Sequence, residues 1–167
     1  MINPAMNEIA LRSHNNIERA SQDVSFEDEI VPVEVPRRKK DSIIFARDEH
    51  FRPGLTMDDL VSLPPAFVPK VGKVTAGNSS GLNDGSAAMV LMTEERAKEL
   101  GLQPLARIKA VGSGGCHPPI KGISPVPAVK NLMDKSGYRI PDFDLVEINE
   151  TFAAQYLGCE KYRSDRW

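Results

Sequence analysis

A chain of 167 residues, 41% apolar and 26% charged, has the length and composition of one soluble globular domain and not of a disordered tail. Its net charge of -2 excludes a general pull toward nucleic acid or an anionic membrane surface, and its apolar runs are too short to span a bilayer. Two cysteines, Cys116 and Cys159, do not make a disulfide framework and fit a reducing compartment.

The opening stretch MINPAMNEIALRSH has neither the apolar core of a signal peptide nor the acid-poor, Arg-rich character of a transit peptide. The expected compartment is therefore the cytoplasm. Residues 4–20 read as an amphipathic helix: Met6, Ile9, Ala10, Ile17 and Ala20 fall near one face, and Pro4 suits a first turn. DEIVPVEVP alternates like a strand, but Pro32 and Pro36 confine it to a sheet edge or an extended loop. RRKK follows and reads as a solvated turn; without interleaved aromatics it is a poor nucleic-acid patch. The next stretch, IIFARDEHFRPGLTMDDLVSLPPAFVPKVGK, is punctuated by Pro-Gly and Pro-Pro. It predicts one short helix near Met57–Leu63 in a loop-rich excursion.

The character changes at Val74. VTAGNSSGLNDGSAAMVLM predicts a short strand, a Gly/Asn/Ser turn and a buried strand running to about Met92. Thr93 then caps a helix with Glu94 and Glu95 in its first turn and Gly101 past its end. LARIKAV predicts another strand, ending in the glycine cluster GSGG. That cluster lacks the spacing of a dinucleotide-binding turn. Ser124 and Pro125 start a helix whose apolar stripe is Ala128, Val129, Leu132 and Met133, and Gly137 closes it. DFDLVEI predicts a strand, and NETFAAQYLG opens the last helix.

Strands alternating with helices imply an α/β fold in which helices cover a sheet, and such sheets bind ligands beyond the carboxyl ends of their strands. Asn149 sits at such an end, and the Gly112–Gly115 cluster is a second candidate. At a strand-helix junction Asn149 also reads as a helix N-cap. Adjacent Cys116 and His117 invite a nucleophile-base reading. Neighbouring side chains in a Gly/Pro-rich loop seldom reach one another, which argues against it.

VTAGNSSGLNDGSAA together with LVEINETFAAQ resembles the thiolase family, the acetyl-CoA acetyltransferases and 3-ketoacyl-CoA thiolases. ALRSH, EDEIVPVEVP, RPGLTMDDLVSLPPAF, VLMTEERAKELGLQPLARI and GISPVPAVKNLMDKSG extend the match, in order, from about Met6 to about Gly158. The resemblance implies a partial thiolase fold of layered αβαβα architecture with mixed sheets. Residues 1–73 would be a loop-domain segment, 74–105 the end of the N-terminal half, and 106–167 the start of a truncated C-terminal half.

Thiolases make or cleave 3-ketoacyl-CoA by a Claisen-type reaction, which needs a thiolate near neutral pH and donors facing the oxyanions of thioester and enolate. By the resemblance, Asn149 holds a water in an oxyanion site, with Glu150 beside it. Phe152 lines the pantetheine tunnel, and Ser80 hydrogen-bonds the pantetheine arm of coenzyme A. Arg52 and Phe67 hold the nucleotide end, a guanidinium against phosphate and a ring against adenine.

Coenzyme A and acyl-CoA would be substrates, with no covalently bound cofactor and no metal. The family's nucleophilic cysteine lies upstream of the matched region, and its Gly-His-Pro histidine and Cys-Gly-Gly cysteine lie downstream. That implies a chain inactive by itself. The alternative is a non-catalytic remnant that binds coenzyme A or associates with thiolase subunits, without nucleic acid or membrane. Thr151 replaces the usual alanine, Lys121 stands where many members have methionine, and CEKYRSDRW departs from the pattern.

Overall fold

The computed structural model of the chain describes residues 4–166. They divide into two compact units, one comprising residues 4–81 and 151–154, the other residues 82–150 and 155–166.

The first unit is built on helix α1 (Pro4–Gln22), which starts on its proline as expected and buries Met6, Ile9 and Ala10. A helix proline costs nothing at this position because the first N–H groups have no intrahelical acceptor. Helix α1 packs against α2 (Met57–Ser62) and against a 3-10 turn at Ala76–Asn78. Thr56 caps α2 with a full capping box: its hydroxyl accepts from the Asp59 N–H, and the Asp59 carboxylate accepts from the Thr56 N–H. A hydrogen bond donated by the Thr56 hydroxyl to the Asp59 carboxylate, and then the one from the Thr56 N–H, hold this carboxyl below its ordinary range. Leu60 of α2 is completely buried. The 3-10 turn comes so close that a Cβ on Gly77 would stand 2.5 Å from Leu60 Cδ2 and 2.6 Å from Leu63 Cδ1.

In the chain between these two helices comes an antiparallel hairpin, β1 (Val33–Arg37) with β2 (Lys40–Phe45). Val33 faces Phe45, Glu34 faces Ile44 and Val35 faces Ile43, and the register slips at Pro36 before Arg37 meets Lys40. A proline lacks the N–H a ladder needs, so the bulge falls where the sequence forces it. Arg38 and Lys39 form the turn, with Lys39 at φ 60°, so the basic run is the solvated tip of a hairpin. Strand β2 lies in the stretch expected to be loop; its partner, not its periodicity, makes it a strand.

In the second unit helix α3 (Glu94–Glu99) is capped by the Thr93 hydroxyl, which accepts from Arg96 N–H at 3.2 Å. Gly101 follows at φ 66°. Helix α4 (Pro125–Ser136) begins after Ser124 and ends on Gly137 at φ 76°, a left-handed cap that glycine adopts without Cβ strain. Helix α5 (Ala153–Arg166) contributes its body from residue 155, including most of the divergent CEKYRSDRW segment. A 3-10 turn at Pro118–Ile123 packs on α4, and its Gly122 and Ile123 lie against Gln155 and Gly158 of α5.

The expected strands of this unit do not form. Residues 86–92, 105–111 and 142–148 have no ladder partner among the described residues. The expected buried strand ending near Met92 is exposed: Val90 shows 82% of its surface to solvent, and Leu105 and Leu145 are fully or nearly fully exposed. Local propensity can extend a chain, but a strand requires a second segment alongside to accept and donate its hydrogen bonds.

The Gly112–Gly115 cluster therefore does not end a strand. It lies against α4, where a Cβ on Gly112 would meet the Ala128 carbonyl at 2.4 Å and one on Gly114 the Ala128 nitrogen at 2.5 Å. Asn131 of α4 donates to the Ser113 carbonyl at 2.7 Å across the same contact. Gly112 and Gly114 serve helix packing.

Candidate functional site

In the first unit a knot of buried polar side chains fixes the chain just before Ser80. Asn7, Thr75 and Asn78 are essentially inaccessible to solvent. The Asn78 amide donates to Asn7 Oδ1 at 3.1 Å and to the Lys73 carbonyl at 3.2 Å, while its own oxygen accepts from Thr75 N–H at 2.9 Å. The Ser79 hydroxyl donates back to the Thr75 carbonyl at 2.7 Å. Buried polar groups need such partners, because each unpaired one forfeits its hydration without replacement.

The knot orients a short extended run. Pro65 bridges Thr75, Ala66 N–H donates to the Val74 carbonyl at 2.8 Å, and Ser79 bridges Phe152. Ser80 N–H donates to the Thr151 carbonyl at 3.0 Å. Three distant stretches thus lie side by side: residues 65–67, 74–80 and 151–152. Phe67 and Phe152 meet edge to face, with ring centroids 6.4 Å apart and planes at 68°. That geometry sets the positive edge of one ring against the negative face of the other. Phe67 is 71% exposed, and Ser80 is exposed as well. Of the expected site residues, the structure brings Ser80, Phe67 and Phe152 together.

Arg52 occupies a tight turn of the same unit, held from α1. Its backbone N–H donates to His14 Nδ1 at 3.1 Å, and the Gly54 N–H donates to Glu18 Oε2 at 2.9 Å. Leu55 N–H closes the turn on the Arg52 carbonyl at 3.3 Å. Burial and then the positive charge of Arg52 hold the His14 imidazole below its ordinary value of 6.5.

Asn149 belongs to the second unit, just after residues 143–148, which form no strand, and is exposed. It is not a helix cap: α5 begins four residues later at Ala153, after Thr151 and Phe152 have paired with Ser80 and Ser79. The Cys116 thiol donates to the Ile120 carbonyl at 3.2 Å. Cys159 is buried in α5, donates to the Gly122 carbonyl at 3.6 Å, and has its thiol pushed upward by burial. No group of three or more His, Cys, Asp or Glu suited to a metal ion occurs among the described residues.

Asn7, Thr75, Asn78, His14 and Glu18 escaped sequence reasoning as site-building residues. A signal was present for three of them. Asn7, His14 and Glu18, spaced by seven and then four, lie on one stripe of α1, and Asn7 interrupts its apolar face.

A family model described as "Thiolase, N-terminal domain" matches residues 4–95, and one described as "Thiolase, C-terminal domain" matches residues 102–164. The acetyl-CoA acetyltransferase of Cupriavidus necator is 49% identical over 157 residues, 94% of this chain and 40% of that protein. The probable acetyl-CoA acyltransferase of Staphylococcus epidermidis is 49% identical over 154 residues, 92% of this chain and 39% of that protein. The chain spans about 40% of the length of these curated relatives. Among solved structures, the Bacillus anthracis acetyl-CoA acetyltransferase matches with TM-score 0.89 and 49% identity, over 96% of this chain and 40% of its own. Human mitochondrial 3-ketoacyl-CoA thiolase matches with TM-score 0.87 and 40% identity, over 98% and 41%.

Proposed function

The chain belongs to the thiolase family and carries part of its α/β fold, and from that premise we propose that it binds the coenzyme A portion of an acyl-CoA. The observation that carries this reading is the convergence of the three segments that bear Ser80, Phe67 and Phe152, up to 85 residues apart in sequence (152 minus 67), with the two rings in contact. A pantetheine arm alternates amides with short aliphatic pieces. The Ser80 hydroxyl suits an amide, and the paired rings suit the aliphatic part. Arg52 answers the phosphates at the nucleotide end, where a guanidinium can bind bidentately. Asn149 is assigned to polarise the thioester oxygen through a water.

The parent activity on this reading is thiolase-type acyl transfer, making or cleaving 3-ketoacyl-CoA. Residues 1–73 would serve as its loop domain, 74–105 as the end of one half and 106–167 as the start of the other. Chemistry by this chain alone is not expected. Acyl transfer needs an accessible thiolate beside a base, whereas Cys159 is buried with its thiol favoured and the Cys116 hydrogen is directed to a carbonyl. The test is calorimetric titration of the full chain with coenzyme A, repeated for Ser80→Ala, alongside a thiolysis assay with acetoacetyl-CoA. Binding that weakens several-fold in the variant, with no turnover, supports the reading. Unchanged binding in Ser80→Ala contradicts the site, and turnover contradicts the absence of chemistry.

A second reading, association with thiolase subunits, is favoured by the unpaired apolar stretches at residues 89–92 and 105–111. Co-elution with a full-length thiolase on mixing would support it; separate elution would contradict it.

A further inference from the structure

We infer that His14 and Glu18 of helix α1 are positioning residues for Arg52, holding the backbone of its turn so that the guanidinium meets the phosphates of coenzyme A. The inference rests on the reading of Arg52 as a phosphate contact and adds to it the device that aims this residue.

Two side chains one helical turn apart, at i and i+4, accept from two amides at i and i+2 of the turn, at 3.1 and 2.9 Å. The partners are 38 and 36 residues apart in sequence, so the clamp is tertiary and not part of the local turn. A turn closed only by its own 3.3 Å bond from Leu55 to Arg52 would leave the direction of residue 52 loosely set. Two further bonds to a rigid helix remove that freedom, which lowers the cost of ordering the arginine when a ligand arrives.

The chemistry requires one form of His14. An Nδ1 that accepts an N–H carries a lone pair, so the imidazole is neutral with its proton on Nε2. Burial opposes protonation of this imidazole, and the charge of Arg52 opposes it further. An imidazolium would place a donor against a donor and open one side of the clamp.

The experiment compares coenzyme A with pantetheine, which lacks the nucleotide and its phosphates. Binding to the full chain is read by ligand-observed NMR for wild type, His14→Leu and His14→Gln. We expect His14→Leu to weaken coenzyme A about tenfold and leave pantetheine unchanged, and His14→Gln, which keeps an acceptor, to recover most of the loss. If His14→Leu binds coenzyme A as wild type does, or loses both ligands equally, the positioning role is overturned while the coenzyme A reading stands. If wild type binds neither compound, the coenzyme A reading falls and the inference with it.

Discussion

Asn78 satisfies three groups with one side chain: the Asn7 oxygen, the Lys73 carbonyl and the buried Thr75 N–H. Asn7, opposite, leaves its own Nδ2 without a hydrogen-bond partner among the described residues. The two positions therefore differ in what a substitution removes. Asn78→Ala strips partners from buried groups, and each buried polar group left unpaired costs about 1–3 kcal/mol, so a loss of about 3 kcal/mol or more is expected from urea unfolding. Asn7→Leu also deletes an unsatisfied amide, so its loss is expected to be the smaller of the two. Equal losses would mean that Asn78 is not the centre of the knot.

His14 gives a pH signature at the same scale. Its value in the fold is lowered by burial and by Arg52, so the unfolded chain takes up the proton first. Stability from this group is complete above the ordinary value of 6.5 and is lost as pH falls through the lower folded value. His14→Gln is expected to remove that part of the slope in an unfolding series from pH 7 to pH 5. An unchanged slope would assign it to other groups.

At the scale of elements, helix boundaries were legible in the sequence because they are local events. Thr93 caps α3, Pro125 opens α4 and Gly137 closes it, each as its own chemistry demands. The 65–80 and 151–152 stretches stood out in the sequence through their motifs, whereas the Asn7–Asn78 bond that supports them spans 71 residues and has no local trace. Strands were the least legible. Residues 105–111 have strand composition, but pairing is a property of two segments, and none lies alongside among the described residues. Conversely β2 is a strand because β1 folds back on it. GSGG, a candidate strand end in the sequence, instead lies against α4. Gly112→Ala would put a Cβ 2.4 Å from the Ala128 carbonyl and 2.6 Å from Leu132 Cβ. A destabilisation of about 1–3 kcal/mol is expected, read as a lowered Tm by circular dichroism; an unshifted melt would contradict the close packing.

For the whole molecule, the dominant fact is apolar surface in water. Val90, Leu91, Leu105, Ile108, Val111 and Leu145 are all exposed, on segments whose backbone groups have no ladder partner among the described residues. Contiguous apolar surface and unpaired edges favour association. Light scattering is expected to rise with protein concentration, and a hydrophobic dye should bind the native chain. A monomer at high concentration that ignores the dye and melts in one sharp transition would contradict this.

The family assignment makes coenzyme A recognition the central claim, and the first unit carries most of its candidate contacts: Ser80, Phe67, Phe152 and the clamped Arg52. The most direct measurement is a titration of the isotope-labelled full chain with coenzyme A, followed by amide chemical shifts. Saturable shifts are expected to concentrate at residues 67, 79–81 and 151–152, with a second group at residues 52–54. Shifts absent from these positions at millimolar coenzyme A, or spread evenly over the chain, would contradict that claim.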